Sequence, residues 1–154
     1  VFNQILFMKN KYVVIFSTAL LAVLVDQVSK FLISSNLSLN KSVPIINKVF
    51  HLTYIQNTGA GFGILKDQTF LLVLVSIMVI GFILYYITTI GNDRKLQILV
   101  GIVLGGTVGN LIDRLAYGSV IDFLDFRIWP IFNFADSFVT IGVIGLIIYF
   151  WKKK

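Results

Sequence analysis

Asp122 in GSVIDFLDF and Asp136 in FNFADS flank the start of the last long apolar stretch of the chain. Carboxylates at the edge of such a segment are costly to keep, and an ionisable residue placed there is by default a candidate for function. Two of them close together form an acid/base pair, because mutual repulsion leaves one protonated while the other stays ionised. Such a pair can activate water. Asn133, just ahead of Asp136, and Arg114, on a neighbouring apolar segment, supply donors that could position a carboxylate or a substrate carbonyl. The bland alternative is a polar network that ties a loop to a helix.

The elements that hold these residues must lie in a membrane. The 154 residues are 57% hydrophobic and only 13% charged, with 14 Phe, whereas soluble proteins use about 25% charged residues. One integral membrane domain over residues 1–154 is the expected organisation. All seven acidic residues are Asp, and five of them, Asp26, Asp113, Asp122, Asp125 and Asp136, lie in or beside apolar stretches. The absence of Cys excludes disulfides, thiolate nucleophiles and thiolate metal sites. The net charge of +6 invites a nucleic-acid reading, but the basic residues sit mainly at the ends of apolar segments, so no nucleic-acid partner is expected.

A spanning helix needs about 20 apolar residues, and four segments qualify: Tyr12 to Ile33, Phe70 to Ile90, Leu96 to Leu115 and Phe134 to Trp151. The first is too long, and too poorly followed by small residues, to be a removable signal peptide. Lys9, Lys11, Arg94, Lys95 and the terminal lysines 152–154 fall on one side of a four-span topology. The positive-inside rule makes that side, with both termini, cytoplasmic. At about 1.5 Å of rise per residue, Asp26, Lys30, Asn110, Arg114 and Asp136 then converge on one layer near the outer face.

The outer connections carry β-like patterns. In VFHLTYIQNTGAGFGIL, Phe50, Leu52 and Tyr54 alternate with His51, Thr53 and Ile55, and SVIDFLDFRIW has a similar composition. The two are expected to form a small extracytoplasmic sheet, which makes the fold class mainly α with four transmembrane helices and that sheet. The glycines of GIVLGGTVGN form small-xxx-small patterns, read as close helix packing. NTGAGFG lacks the Lys-Ser/Thr of a phosphate loop and reads as a flexible turn that places Asn57 over the polar layer. His51, the only histidine, is read as a solvated strand position, which leaves no metal site or Ser-His-Asp triad. Ser29 and Lys30, the one candidate Ser/Lys dyad, are adjacent on a helix and point apart. Trp129, Trp151, Tyr85 and Tyr86 are read as interfacial anchors.

Five blocks in order, DQVSK (26–30), NTGAGFG (57–63), GGTVGNLIDR (105–114), GSVIDFLDF (118–126) and FNFADS (132–137), resemble those of the bacterial lipoprotein signal peptidases, or signal peptidases II. The resemblance covers nearly everything from the first span to the end. It implies a four-helix aspartyl endopeptidase of the bacterial cytoplasmic (inner) membrane with its active site near the outer face. Its substrates would be diacylglyceryl-modified prolipoproteins, cut immediately before the lipidated Cys, with the acyl chains fixing that Cys in depth.

The resemblance makes Asp122 and Asp136 the catalytic pair and places Asp26, Asn57, Gly59, Asn110, Arg114, Asn133 and Ala135 on supporting or substrate-binding positions. It implies no metal or organic cofactor, membrane lipid as a partner, sensitivity to globomycin-like cyclic peptides, and a monomer able to work alone. Gly61 and Thr107 stand where many relatives carry Ala. The rival reading is a small proton-coupled transporter with Asp26, Asp136 and Arg114 as a relay. It would spread titratable groups through the bilayer, and here they gather on one side.

Overall fold

The computed structural model describes residues 2–61 and 64–153. Along the chain run α1 (Phe2–Asn36), β1 (Ser42–Ile46), β2 (Phe50–Asn57), α2 (Thr69–Tyr86), α3 (Arg94–Tyr117), β3 (Val120–Asp125) and α4 (Phe134–Trp151). All four helices are long and apolar enough to cross a membrane, α1 over Lys11–Asn36. Hydrocarbon offers the backbone no partners, so apolar runs of this length close their hydrogen bonds internally as helices. Leu21 and Phe31 on α1 and Phe70, Met78 and Phe82 on α2 are exposed, as lipid-facing residues must be.

α3 is the centre of the bundle and packs against α1, α2 and α4. The buried stripe of α1, Ile15, Ala19, Ala22, Asp26, Lys30 and Ile33, recurs at helical spacing. Its approach to α3 depends on glycine. A Cβ on Gly105 would lie 2.5 Å from the Ala19 carbonyl oxygen, and one on Gly109 would lie 2.6 Å from Asp26 Oδ2. The small-residue pattern is therefore a packing surface.

The helix ends carry the chain into the site. Gly118, at φ 70°, ends α3 in the left-handed conformation, with its N–H on the Arg114 carbonyl, so that β3 starts almost at once. Asn133 caps α4 in a capping box with Asp136. Between them the chain folds back: the backbone N–H of Leu124 donates to the Phe132 carbonyl at 2.8 Å and that of Phe132 to the Leu124 carbonyl at 3.2 Å. This return brings β3 alongside the start of α4. The sheet is antiparallel in the order β1-β2-β3, with Ile55 opposite Asp122 and Asn57 opposite Val120. Ile33, Ile121 and Phe123 form a small core beneath it.

Three expectations change. The second helix ends at Tyr86 rather than Ile90, and the carbonyls beyond it, of Thr88 and Ile90, accept from Lys11 Nζ at 2.8 Å and 3.1 Å. The sheet has a third strand, β1, whose SVPII sequence is wholly exposed and carries Pro44, tolerated because the strand is an edge. With no buried face, it had no alternation to reveal it. That strand also removes His51 from open solvent: Nδ1 lies 3.1 Å from Ser42 Oγ, and Nε2 is buried with no hydrogen-bond partner among the described residues.

Candidate active site

Asn133 holds the two aspartates together. Its side-chain Nδ2 donates to Asp122 Oδ1 at 2.7 Å, while its backbone N–H donates to Asp136 Oδ2 at 3.2 Å. Asn133 Oδ1 accepts the Asp136 N–H at 2.9 Å, so the residue that starts α4 also fixes both carboxylates. Asn110, from α3, donates to Asp136 Oδ1 at 2.7 Å, and its own Oδ1 accepts from Asn133 Nδ2 at 3.0 Å. Asn57, at the end of β2, donates to Asp122 Oδ2 at 2.9 Å. Each of the four carboxylate oxygens thus accepts from an amide N–H, and among the described residues neither aspartate has a salt bridge.

The turn after β2 sets the Asn57 amide. Its Oδ1 accepts the Gly59 N–H at 2.9 Å, which aims Nδ2 at Asp122. Gly59 is needed there because a Cβ would lie 2.9 Å from the Ile64 carbonyl oxygen. Arg114 Nη2 reaches the Gly59 carbonyl at 3.3 Å and ties the turn to α3. Phe62 and Gly63 of the NTGAGFG block lie outside the described residues.

Asp26 and Ala135 belong to the frame. The Ala135 N–H donates to Asp26 Oδ1 at 2.9 Å, which joins α1 to the first turn of α4. Ala135 is 0% exposed, so neither its side chain nor that of Asp26 faces a substrate. Asp26 Oδ2 is 2.7 Å from Lys30 Nζ, which also contacts Asp113 Oδ2 at 2.9 Å and donates to Asn110 Oδ1 at 3.0 Å. Asp113 Oδ2 in turn accepts the Ile121 N–H of β3 at 3.1 Å. Gln27 Nε2 completes the cluster on Asp113 Oδ1 at 2.9 Å.

Lys30, Asp113 and Gln27 were not among the site residues read from sequence. The available signals were the place of Lys30 in the polar layer, that of Asp113 beside an apolar stretch, and the one-turn spacing of Asp26 and Lys30, which puts the two on one helix face. With Lys30 engaged in this way and Ser29 Oγ on the Asp26 carbonyl at 2.7 Å, the Ser/Lys dyad has no geometry.

Asp122, Asp136, Asn57, Gly59, Asn110 and Arg114 line one cavity of about 790 Å³. Val75 and Val79 of α2 and Val139 and Val143 of α4 form its apolar walls, and Trp129 and Phe132 lie at its rim. Ser76, Thr107 and Thr140 also line the cavity, and of these only Thr107 was singled out from the sequence. Burial first, and then the nearby charge of Asp136, push the Asp122 carboxyl up from 3.8 to about 7, against the hydrogen bonds from Asn57 and Asn133. That value lets Asp122 keep a proton close to neutral pH, where an ordinary carboxyl has lost it.

A family model described as "Signal peptidase (SPase) II" matches residues 18–152. The chain belongs to the signal peptidase II family. It is 44% identical over 140 residues to a lipoprotein signal peptidase of Halothermothrix orenii, covering 91% of this chain and 97% of that one. To a lipoprotein signal peptidase of Moorella thermoacetica it is 47% identical over 129 residues, covering 83% and 86%. A solved structure described as a bacterial membrane enzyme superposes with a TM-score of 0.85 at 33% identity, covering 90% of this chain and 87% of that one. This signal peptidase II is thus a multi-pass membrane protease, and nothing in these likenesses favours a transporter. Within it the proposed relay is also broken, since Asp26 is tied to Lys30 and does not line the cavity that holds Asp136 and Arg114.

Proposed function

We propose that the chain, acting as one membrane domain, removes signal peptides from diacylglyceryl-modified prolipoproteins by cutting before the lipidated Cys, with Asp122 and Asp136 as the catalytic pair. The observation that carries this reading is the pair itself: two carboxylates held by amides, with no salt-bridging cation among the described residues, on the wall of a largely apolar cavity. Asp122, whose proton affinity is raised, is the acid and Asp136 the base.

Asp136 takes a proton from water as the water oxygen bonds to the scissile carbonyl carbon, and Asp122 gives its proton to the carbonyl oxygen. When the tetrahedral intermediate collapses, the C–N bond breaks, the leaving nitrogen receives the proton from Asp136, and Asp122 recovers its own. The products are a carboxylic acid and the free amine of the lipidated Cys. No step needs a metal or organic cofactor.

The cavity supports the substrate class. Its apolar walls lie between α2 and α4, where a signal-peptide helix and acyl chains can arrive through the lipid. Asn57, Gly59 and Arg114 lie beside the aspartates and are placed to meet the substrate backbone. A globomycin-like cyclic peptide is expected to compete for the same space. Orientation follows from charge: Lys95, Lys152 and Lys153 mark the end of the bundle opposite the aspartates, which puts both termini in the cytoplasm and the site near the outer face of the inner membrane. One four-helix unit contains every residue named, so a monomer suffices.

The deciding experiment is cleavage of a diacylglyceryl-modified prolipoprotein by purified protein in detergent, beside the same prolipoprotein without lipid. Cutting before the lipidated Cys, with the unlipidated form resistant, is the expected result. Equal turnover of both would remove lipid recognition from the proposal.

A further inference from the structure

A second cavity, of about 740 Å³, lies at the opposite end of the bundle, between the start of α3 and the end of α4. Lys95, Lys152 and Lys153 line it together with Asp93, Leu99 and Tyr149. We propose that this groove holds the headgroup of an anionic phospholipid, with its acyl chains running down the bundle into the bilayer.

Lysines at the ends of spans are ordinarily solvated topology markers, and three features set these apart. Their ammonium groups are not locked in ion pairs: all three are exposed, and among the described residues none forms a salt bridge. Lys11, by contrast, is buried and spends its ammonium on the Thr88 and Ile90 carbonyls. Asp93, the one carboxylate among the described residues of the groove, is also occupied. Asp93 Oδ1 caps α3 through the Lys95 N–H at 2.8 Å, and Oδ2 accepts the Tyr149 hydroxyl at 2.9 Å. Three lysines against one aspartate leave the groove with a charge of +2.

The walls are also fixed. The Tyr149–Asp93 hydrogen bond ties α4 to the turn before α3, and Lys153 Nζ sits 5.6 Å from the centre of the Tyr149 ring. Beneath the lysines the helices close up: a Cβ on Gly145 would run into the Leu99 side chain. Leu96, Leu99 and Ile148 therefore floor a groove whose mouth is cationic. Cationic mouth, apolar floor and a position where two spanning helices end match a lipid phosphate attached to acyl chains, and basic pockets between spanning helices are known to take anionic headgroups. A soluble anion would have no use for the floor.

The test uses the full chain in neutral detergent. Dioleoyl-phosphatidylglycerol, dioleoyl-phosphatidylcholine or soluble glycerol phosphate is added, and bound lipid is counted by native mass spectrometry alongside thermal unfolding. Phosphatidylglycerol should be retained at least about tenfold better than phosphatidylcholine and should raise the unfolding temperature. That preference should vanish in Lys95→Gln/Lys152→Gln/Lys153→Gln and persist when the same three residues become Arg. Equal retention of the two lipids by the unaltered protein would overturn the proposal whatever the variants do. So would a preference that survives the triple Gln change, or glycerol phosphate displacing the lipid at equal concentration.

Discussion

Four aspartates, three of them buried and Asp136 half-buried, fall into two pairs with opposite surroundings. Asp26 and Asp113 share the ammonium of Lys30 and accept backbone N–H groups from α4 and β3. Asp122 and Asp136 have no cation within salt-bridge distance among the described residues and are held by the neutral amides of Asn57, Asn110 and Asn133. The same side chain is thus used in two ways. Where a full positive charge answers the carboxylates, they become a rivet between helices. Where neutral amides hold them instead, burial first and then the neighbouring carboxylate outweigh the hydrogen bonds, and Asp122 shows a raised proton affinity available for acid/base chemistry. The two pairs meet at Asn110, which accepts from Lys30 and donates to Asp136.

The sharpest way to break the contrast is to neutralise one member of each pair. Asp136→Asn and Asp122→Asn should each lower turnover by at least about 10³-fold while unfolding close to the unaltered temperature. Asp26→Asn should cost stability first, and activity only through the loosened start of α4. Single-turnover cleavage read beside thermal unfolding separates the two effects, and unchanged cutting by either of the first two variants would remove that residue from the pair.

Removing the cation tests the rivet. Lys30→Met leaves Asp26 and Asp113 buried without a neutralising cation and should destabilise the protein by about 3–5 kcal/mol, measured by thermal unfolding in detergent. Adding Asp26→Asn and Asp113→Asn to the same chain should recover much of that loss. No recovery would mean that Lys30 acts through packing alone.

The pH dependence sharpens the comparison further. The Asp122 carboxyl is raised from 3.8 to about 7 in the folded protein. A raised value means that the folded state holds its proton more tightly than the unfolded chain does. The associated stability is fully present below 3.8 and is lost as pH rises through about 7. Turnover should fall over the upper part of that window as Asp122 loses its proton, and Asp122→Asn should flatten the stability profile across it. Asn57→Ala should reduce turnover by roughly tenfold, the cost of one hydrogen bond to a charged group. Because the lost bond lowers the Asp122 value, the alkaline limb should also move upward, a shift that a merely loosened turn would not produce.

His51 and Lys30 mark the limits of what could be read from the chain. His51 looks like an exposed strand residue until β1, invisible to periodicity, covers it. Lys30 is legible as a member of the polar layer, yet its 2% exposure depends on neutralising side chains from its own helix and from α3. Asn133 was legible as a donor near Asp136, but its hold on Asp122 as well depends on the return of the chain through Phe132.

By itself the sequence determined the four apolar segments, the glycine face of α3 and the gathering of polar residues in one layer. Each of these follows from local composition, because hydrocarbon permits only self-satisfied backbone and tolerates polar groups only at cost. It also carried the family in five short blocks. Only the tertiary structure decided which aspartates are neutralised and which stay poised. That depends on whether an ammonium or an amide lies within about 3 Å, and here the partners come from three helices and two strands far apart in the chain. The same holds for the cationic groove at the other end of the bundle, whose lysines become a site only when α3 and α4 meet beneath them.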